Sequence, residues 1–337
     1  MKSMKRVKQL SCLGIESTAH TLGASIVTSN GDICSDIREI YVPQHGRGIH
    51  PSEAAQHHNN IAHNVILKAL KNAGKNANDV DIIAFSCGPG LGPCLRVGAT
   101  VARALATYLD KPLVPINHAL AHIEIGILTA NVEDPLVVLV SGGHTAISAF
   151  GGKRWRIYGE TEDITLGNLF DMFARATELA TPGGPEVEKM AKKGSKLIDL
   201  PYTVKGNDVA YSGLLSATLR EYKKGTPIED LCFSLQEIAF SMMTEATERS
   251  LAHTEKKELL LTGGVAANKK FQSMLESISR QHNVKFHAVD PRYTGDSGVQ
   301  IAWNGILAFQ SGITVKIEDN IVKPRWRLDQ VDIAWRS

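Results

Sequence analysis

Two stretches of the chain are written in one grammar, and that recurrence limits the folds open to it. Residues 10–41, "LSCLGIESTAHTLGASIVTSNGDICSDIREIY", read as an apolar strand, a loop of small residues, and a hairpin turning at Asn30-Gly31, the dipeptide that most favours a two-residue turn. Residues 135–161, "PLVVLVSGGHTAISAFGGKRWRIYGET", repeat the order, with the small-residue loop at Ser141-Gly142-Gly143 and the hairpin at Gly151-Gly152. After the first hairpin the patterns predict a helix from Pro51 to about Gly74, a strand in "DIIAFSCGPG", a helix over about 95–109, the strand "PLVPI" and a helix carrying His118 and His122. After the second they predict helices over about 167–180, 184–193 and 227–253, the strand "ELLLTGG", a helix, the strand "VKFHAV" and a closing helix. Three strands followed by alternating helix and strand, twice, imply a duplicated α/β chain with mixed sheets and a ligand cleft between the halves. The boundaries expected are 9–133 for the N-terminal domain, 134–327 for the C-terminal domain with a helical insertion, and 328–337 for a tail.

Composition is that of a globular protein, 43% hydrophobic and 21% charged over 337 residues. A formal net charge of +2 provides no general attraction for nucleic acid. Such a partner needs local patches, and the candidates are Lys2/Lys5/Arg6/Lys8, Lys153-Arg154-Trp155-Arg156, Lys192/Lys193/Lys196 and Lys323/Arg325/Arg327. Each is equally a solvated face. The five cysteines are odd in number and include no CxxC pair, so they read as reduced thiols in a cytoplasmic protein. No apolar run reaches membrane-spanning length.

Three loops suit close approach of backbone to an anion: "GIEST", "SGGHT" and "TGGVAAN". Glycine removes the side chain from the approach, and a following helix N-terminus adds its dipole. Two strand–loop–hairpin units with a later strand–Gly–Gly–helix is also the order by which an actin-like ATPase binds nucleotide. Phosphoryl transfer on such a frame needs acids to hold Mg²⁺ and orient the nucleophile. "GIEST" carries Glu16 but "SGGHT" carries none, which weighs against simple kinase chemistry.

In "PINHALAHIEIG", His118 and His122 lie one turn apart on one helix face. They form either a metal pair or a pair of satisfied core histidines. The peptidase motif H-E-x-x-H has the same spacing, but residue 119 is alanine, so its general base is missing. Asp296, between glycines in "YTGDSGVQIAW", is a candidate third ligand and equally a candidate helix N-cap.

The motifs "GIEST", "GIHPSEAAQHHNN", "CGPGLGPCLRVGAT", "NHALAHIEIG", "VSGGHT", "DMFAR", "PGGPEVEKMA", "PYTVKGNDVAYSGL", "TGGVAANKKF" and "GDSGVQIAW", in this order, resemble one family over nearly the full chain. It is the tRNA N6-adenosine threonylcarbamoyltransferases, TsaD in bacteria and the catalytic subunit of the KEOPS complex in archaea and eukaryotes. "GRGIHPSEAAQHH" is similar to the archaeal and eukaryotic branch. The resemblance implies an actin-like (ASKHA, ribonuclease-H-like) two-domain fold. It also implies transfer of the threonylcarbamoyl group from threonylcarbamoyl-AMP to N6 of the adenosine 3′ of the anticodon, in tRNAs reading ANN codons. Implied partners are tRNA and the other KEOPS subunits: an atypical kinase, a small regulatory subunit and a dimerising subunit.

By the same resemblance, one divalent ion, iron or zinc, is held by His118, His122 and Asp296. The adenylate, or an ATP-like nucleotide, meets Leu139, Val140, Ser141, Gly142, Gly143, Asp171, Gly184, Glu188 and Asn268. Glu16 is a candidate proton acceptor or orienting residue. The sequence departs from its branch at three positions: Leu139 replaces a tyrosine that serves relatives as a further ligand, His144 replaces asparagine, and Ser297 replaces asparagine after the metal aspartate. A three-residue metal site is therefore expected, with His144 a candidate substitute ligand. Two other functions compete with this reading, a metal-dependent glycoprotein endopeptidase and a nucleotide-driven actin-like ATPase or scaffold.

Overall fold

The computed structural model describes residues 9–43, 47–318 and 321–336, and in it the repeated grammar becomes two sheets of matching order. The basic run from Lys2 to Lys8 lies outside the described residues. In the first repeat, β1 (Ser11–Glu16), β2 (Thr21–Thr28) and β3 (Ile33–Ile40) pair antiparallel in succession. Gly31, at φ 86°, provides the turn between the last two. Helix α1 (Pro51–Asn72), β4 (Ile82–Gly88), α2 (Gly92–Leu109), β5 (Leu113–Asn117) and α3 (His118–Ala130) follow. β4 and β5 join in parallel, giving the order β3-β2-β1-β4-β5.

The second repeat opens with β6 (Leu136–Val140), β7 (Thr145–Gly151) and β8 (Arg154–Glu160), again antiparallel. Then come α4 (Leu166–Ala176), α5 (Gly183–Ala191), the two-residue strands β9 (Val204–Lys205) and β10 (Asp208–Val209), α6 (Ser212–Lys223) and α7 (Ile228–Thr254). After them, β11 (Glu258–Thr262), α8 (Lys269–Gln281), β12 (Lys285–Ala288) and α9 (Gly298–Gln310) close the order. β11 pairs in parallel with both β6 and β12, so the second sheet runs β12-β11-β6-β7-β8. Position for position, this is the order of the first sheet.

The β9–β10 hairpin and α6 have no counterpart in the pattern expected from sequence. Helix α6 lacks a local capping signal because its cap comes from afar: Asp163 accepts from Tyr211 N–H at 2.8 Å and Ser212 N–H at 3.0 Å. Among the described residues no helix is long and apolar enough to cross a membrane. All five cysteines are free thiols, four of them buried.

The chain divides into two compact units, and the division departs from the expected domains. One unit holds the described residues up to Pro43, Gly48–Ile125 and those from Asp296 onward; the other holds Arg47 and Gly126–Gly295. Helix–strand alternation alone puts the segment from Asp296 to residue 327 in the C-terminal domain, whose pattern it continues. Its packing determines otherwise, since α9 lies against β1, β2 and β4 of the first sheet.

Small residues on both sides make that packing possible. A Cβ on Gly14 would stand 2.2 Å from the Gly298 carbonyl oxygen and 2.3 Å from Ala302 N, and one on Gly298 would stand 2.6 Å from both Gly14 O and Ser25 N. Gly305 meets Ala84 in the same way, at 2.4 Å from its Cβ. Helix and sheet therefore touch backbone to backbone at the N-terminal turn of α9. Apolar side chains of α1 and α2 join those of β1, β2 and β4 in a common core, and every residue of β1 and β2 is buried, as for strands covered on both faces. Replacing Gly14 with alanine forces backbone apart rather than moving a side chain. We expect Gly14→Ala to cost at least about 3 kcal/mol, beyond the usual range for overpacking, seen as a lowered thermal midpoint.

Candidate functional site

In the first unit, the end of β1, the start of α3 and the residue preceding the cap of α9 place four ionisable side chains together. His118 and His122 are buried one turn apart on α3, with ring centroids 4.7 Å apart at 87°. Both direct Nε2 at Asp296 Oδ1, from 3.4 Å and 3.1 Å respectively. One ligand atom from each of the three lies within 4.8 Å of the others. The two histidines and Asp296 are thus brought together as the sequence reading expected, although their last two members are 174 residues apart.

Asp296 is not the N-cap of α9. That role belongs to Ser297, whose hydroxyl accepts from Val299 N–H at 2.9 Å and donates to Asp36 on β3 at 3.1 Å. The departure at Ser297 therefore leaves the cap intact, since serine and asparagine are both good N-caps. Freed from capping, the Asp296 carboxylate faces the histidines.

Glu16 completes the group from behind. Fully buried at the end of β1, it accepts from His118 Nδ1 at 3.0 Å through Oε2, while Oε1 takes the Thr18 N–H and hydroxyl. Carboxylate behind imidazole is the arrangement that fixes the ring and the tautomer of a metal-ligating histidine. Sequence reasoning singles out Glu16 for its loop but misses this contact, because nothing local links residue 16 to residue 118.

The electrostatics favour a positive charge at this point. Burial pulls the His118 pKa down, but the Glu16 and Asp296 carboxylates overcome it and hold the ring well above the ordinary histidine range. Burial lowers His122, with the Asp296 hydrogen bond opposing it. Burial raises the Asp296 pKa as well, yet the two histidines more than offset that and leave the carboxyl well below its usual range. A cation placed among the three ligand atoms would take the part that the His118 proton plays. Two imidazole nitrogens and a carboxylate oxygen are also the donor set that zinc and ferrous iron accept. Gln300 on α9, fully buried, holds its Nε2 3.5 Å from His122 Nε2, and its Oε1 has no hydrogen-bond partner among the described residues. The residues present fit a divalent ion.

Two further contacts hold α3 in place. Asn117 caps it, accepting from Leu120 N–H at 3.1 Å. Glu124, one half-turn beyond His122, is buried and takes Arg336 through two bonds at 3.0 and 2.9 Å and Trp335 Nε1 at 3.2 Å.

In the second unit, Leu139 to Gly143 lie at the C-terminal end of β6 and Asn268 just beyond that of the parallel strand β11, where ligands bind in open α/β sheets, while Asp171 lies on α4 and Gly184 and Glu188 on α5. Leu139 and Val140 are buried strand residues. Beyond them Ser141 Oγ accepts from Gly143 N–H at 3.2 Å and His144 N–H at 3.0 Å, folding "SGGHT" into a tight turn. Gly142 and Gly143 have open space where a Cβ would stand. Gly263, at φ +94°, lies so close that its Cβ would fall 2.3 Å from Val140 O, which sets "TGGVAAN" beside "SGGHT". Asn268 is buried as the N-cap of α8: its Oδ1 accepts from Lys270 and Phe271 N–H, and its Nδ2 donates to Gln236. Helix α4 packs on the turn Gly264–Ala267, and its Asp171 accepts from Gly183 N–H at 2.7 Å, fixing the start of α5. Gly184, one residue on, is open where a Cβ would stand, and Glu188 pairs with Lys192 at 3.3 Å. Leu139 carries no donor, and His144 belongs to this second unit.

If Glu16 acts by orienting His118, Glu16→Gln should fold normally but bind zinc roughly 10–100-fold more weakly, the usual loss for an outer-shell partner. Titration calorimetry with the metal ion checks this, and His122→Ala in the same assay should show no stoichiometric site.

Known proteins resemble this chain. The family described as "TsaD: tRNA N6-adenosine threonylcarbamoyltransferase" matches residues 33–303. A tRNA N6-adenosine threonylcarbamoyltransferase of Thermofilum pendens is 51% identical over 98% of both chains. A "Probable bifunctional tRNA threonylcarbamoyladenosine biosynthesis protein" of Methanocaldococcus jannaschii is 49% identical over 96% of this chain, which spans 60% of that relative. Among solved structures, T. kodakarensis HypF aligns with a TM-score of 0.63 at 15% identity, covering 91% of this chain and 48% of that one; this likeness concerns the fold. The two sheets of like order are the actin-like arrangement that the resemblance implied. On the family match and the near-full-length relatives, the chain belongs to the TsaD family of tRNA N6-adenosine threonylcarbamoyltransferases and is an enzyme, a transferase that forms threonylcarbamoyladenosine in tRNA.

Proposed function

We propose that the donor is threonylcarbamoyl-AMP, that the acceptor is N6 of the adenosine 3′ of the anticodon in tRNAs reading ANN codons, and that iron or zinc sits at His118, His122 and Asp296. The observation carrying this reading is the convergence of two histidine Nε2 atoms on one carboxylate oxygen, with Glu16 buried behind. When bound, such an ion supplies Lewis acidity and positive charge for the oxygens of an acyl-adenylate.

The chain's own residues do the rest. The acceptor amine is weakly nucleophilic, so the gain must come from holding an activated acyl group in position and excluding water. We assign Glu16 an orienting part, because both its oxygens are engaged by His118 and Thr18. In the second unit, Gly142 and the neighbouring Gly264 offer backbone N–H groups to the adenylate phosphate, while the Ser141 and Gly143 N–H groups close the turn that presents them. Asp171 holds Gly183 N–H through Oδ1, which leaves Oδ2 for a ribose hydroxyl as far as the described residues go, while Glu188 serves the same ligand from α5. Asn268 contributes by fixing the loop that Gly264 belongs to. The acceptor base lies in a single-stranded loop and can be splayed out without melting a duplex.

We also infer that the enzyme works with KEOPS subunits, in the cytoplasm. A net charge of +2 leaves much of the phosphate-binding surface to partners. The bifunctional name of the Methanocaldococcus relative supports an association with a second activity. The peptidase alternative lacks its base, since residue 119 is a buried alanine.

Purified protein supplied with threonylcarbamoyl-AMP, partner subunits and unmodified tRNA should yield the modified nucleoside by mass spectrometry. His122→Ala and chelated wild type should yield none, and metal should restore the latter alone. Equal yield from His122→Ala and wild type would refute the metal assignment.

A further inference from the structure

The segment from Ile321 to Arg327 forms neither helix nor strand, yet backbone bonds fix it against the first sheet. Lys323 N–H donates to Cys87 O at 2.7 Å, and Gly90 N–H to Pro324 O at 3.2 Å. Cys87 Sγ donates to Ile321 O at 3.4 Å. A Cβ on Gly88 would fall 1.9 Å from Lys323 O, so the segment lies in backbone contact with the end of β4. A further bond joins it to the helix of the two histidines: Asn117 Nδ2 donates to Trp326 O at 3.0 Å, and Asn117 is the cap residue immediately before His118. One short strap is therefore tied both to β4 and to the start of α3.

Its side chains are cationic and face solvent. Lys323, Pro324 and Arg325 are exposed, and Lys323 Nζ stands 4.6 Å over the Trp326 ring. Helix α2 adds Arg96, also exposed. Arg96 Nη1 and Pro324 Cγ are 3.6 and 3.7 Å from one point, the place a Cβ of Gly92 would take. Two turns further along α2 is Arg103, half-buried, with its Nε buried and unpartnered. The charges of Lys323 and Arg103 both reach the Cys87 thiol, opposing the rise that burial imposes on it.

None of Arg96, Arg103, Lys323 and Arg325 has a carboxylate partner among the described residues. Contrast Arg327 in the same strap, tied to Asp329 at 3.2 Å, or Lys189 on α5, paired with Glu186 at 3.5 Å. Four uncompensated cations on a rigid backbone repel one another, and an anion with several spaced charges relieves that. Guanidinium groups present forks that match phosphate oxygens. With an RNA substrate and the tie to α3, the complementary anion is a phosphodiester chain. Resting on the function proposed above, we propose that the strap and the adjoining face of α2 receive backbone phosphates of the tRNA, through Arg96, Arg103, Lys323 and Arg325, and register the RNA against the helix that bears His118.

The test uses Arg96→Gln/Lys323→Gln/Arg325→Gln in the full chain with its partner subunits. The control, Lys257→Gln/Lys285→Gln, removes exposed charge from β11's lead-in and β12 instead. The strap variant should show a KM for unmodified tRNA about tenfold higher, with kcat, thermal midpoint and bound zinc close to wild type. Its log–log salt dependence of tRNA binding should be shallower by about two to three, near one for each phosphate no longer neutralised. A KM and salt slope equal to those of the control would overturn the proposal. So would unchanged RNA binding accompanied by loss of an acidic protein partner. If the wild-type protein forms no modified adenosine, the proposed function falls, and the salt slope for tRNA still decides the strap by itself.

Discussion

The approach of Gly298 to Gly14 determines where the chemistry of the first unit can be. A helix that meets its neighbour through side chains stands off by roughly 10 Å. Here the N-terminal turn of α9 rests on the backbone of β1 and β2, with Gly14, Gly23, Gly298 and Gly305 removing what would intervene. The residue two before Gly298 is Asp296, and the residue two after Gly14 is Glu16. Both carboxylates are consequently delivered to α3 by one contact, Asp296 to the Nε2 side of the histidines and Glu16 to the Nδ1 side of His118. The grouping of these side chains is a by-product of close packing between two elements that bear none of them at the contact itself.

A buried glutamate is expensive unless its charge is answered. Glu16 is answered by His118 and by the Thr18 N–H and hydroxyl. His118 is in turn held between two carboxylates, and His122 shares one of them. The result is a locally acidic socket in a protein whose net charge is slightly positive. Around the ends of β6 and β11, by contrast, the polar work is done by backbone and small side chains: Ser141 folds one turn and Asn268 caps the helix after the other. The two settings differ in kind: the first gathers ionised side chains, the second leaves glycines open to approach.

Much of this was legible in the sequence because it is local. The hairpins, the alternating helices and strands, and the histidine pair follow from turn chemistry and periodicity. What escaped was long-range. The contact of residue 16 with residue 118, the cap of α6 by Asp163, and the clamp of Glu124 by Arg336 leave no periodic trace. The packing of α9 is long-range too: alternation puts it after β12 in the chain, whereas Gly298, Ala302 and Gly305 fit it to the small residues of the first sheet. Asp171 and Glu188 read as solvated helix residues until the resemblance singled them out, since Asp171's bond to Gly183 depends on two helices meeting.

Because Asp296 comes after the whole second unit in the chain, the first unit is interrupted in sequence although compact in space. During synthesis β1 to β5 and both histidines emerge early, but Asp296 and the helix that covers β1 emerge only after another unit of comparable size. Until then the glycine-lined face of β1 and β2 is bare, and the histidines have Glu16 without Asp296. A growing chain can therefore collapse its second unit before its first, the reverse of the order in which they begin. On the metal assignment proposed above, an ion captured before α9 docks would have two of its three ligands, so its loading would be a late event that reports completed folding.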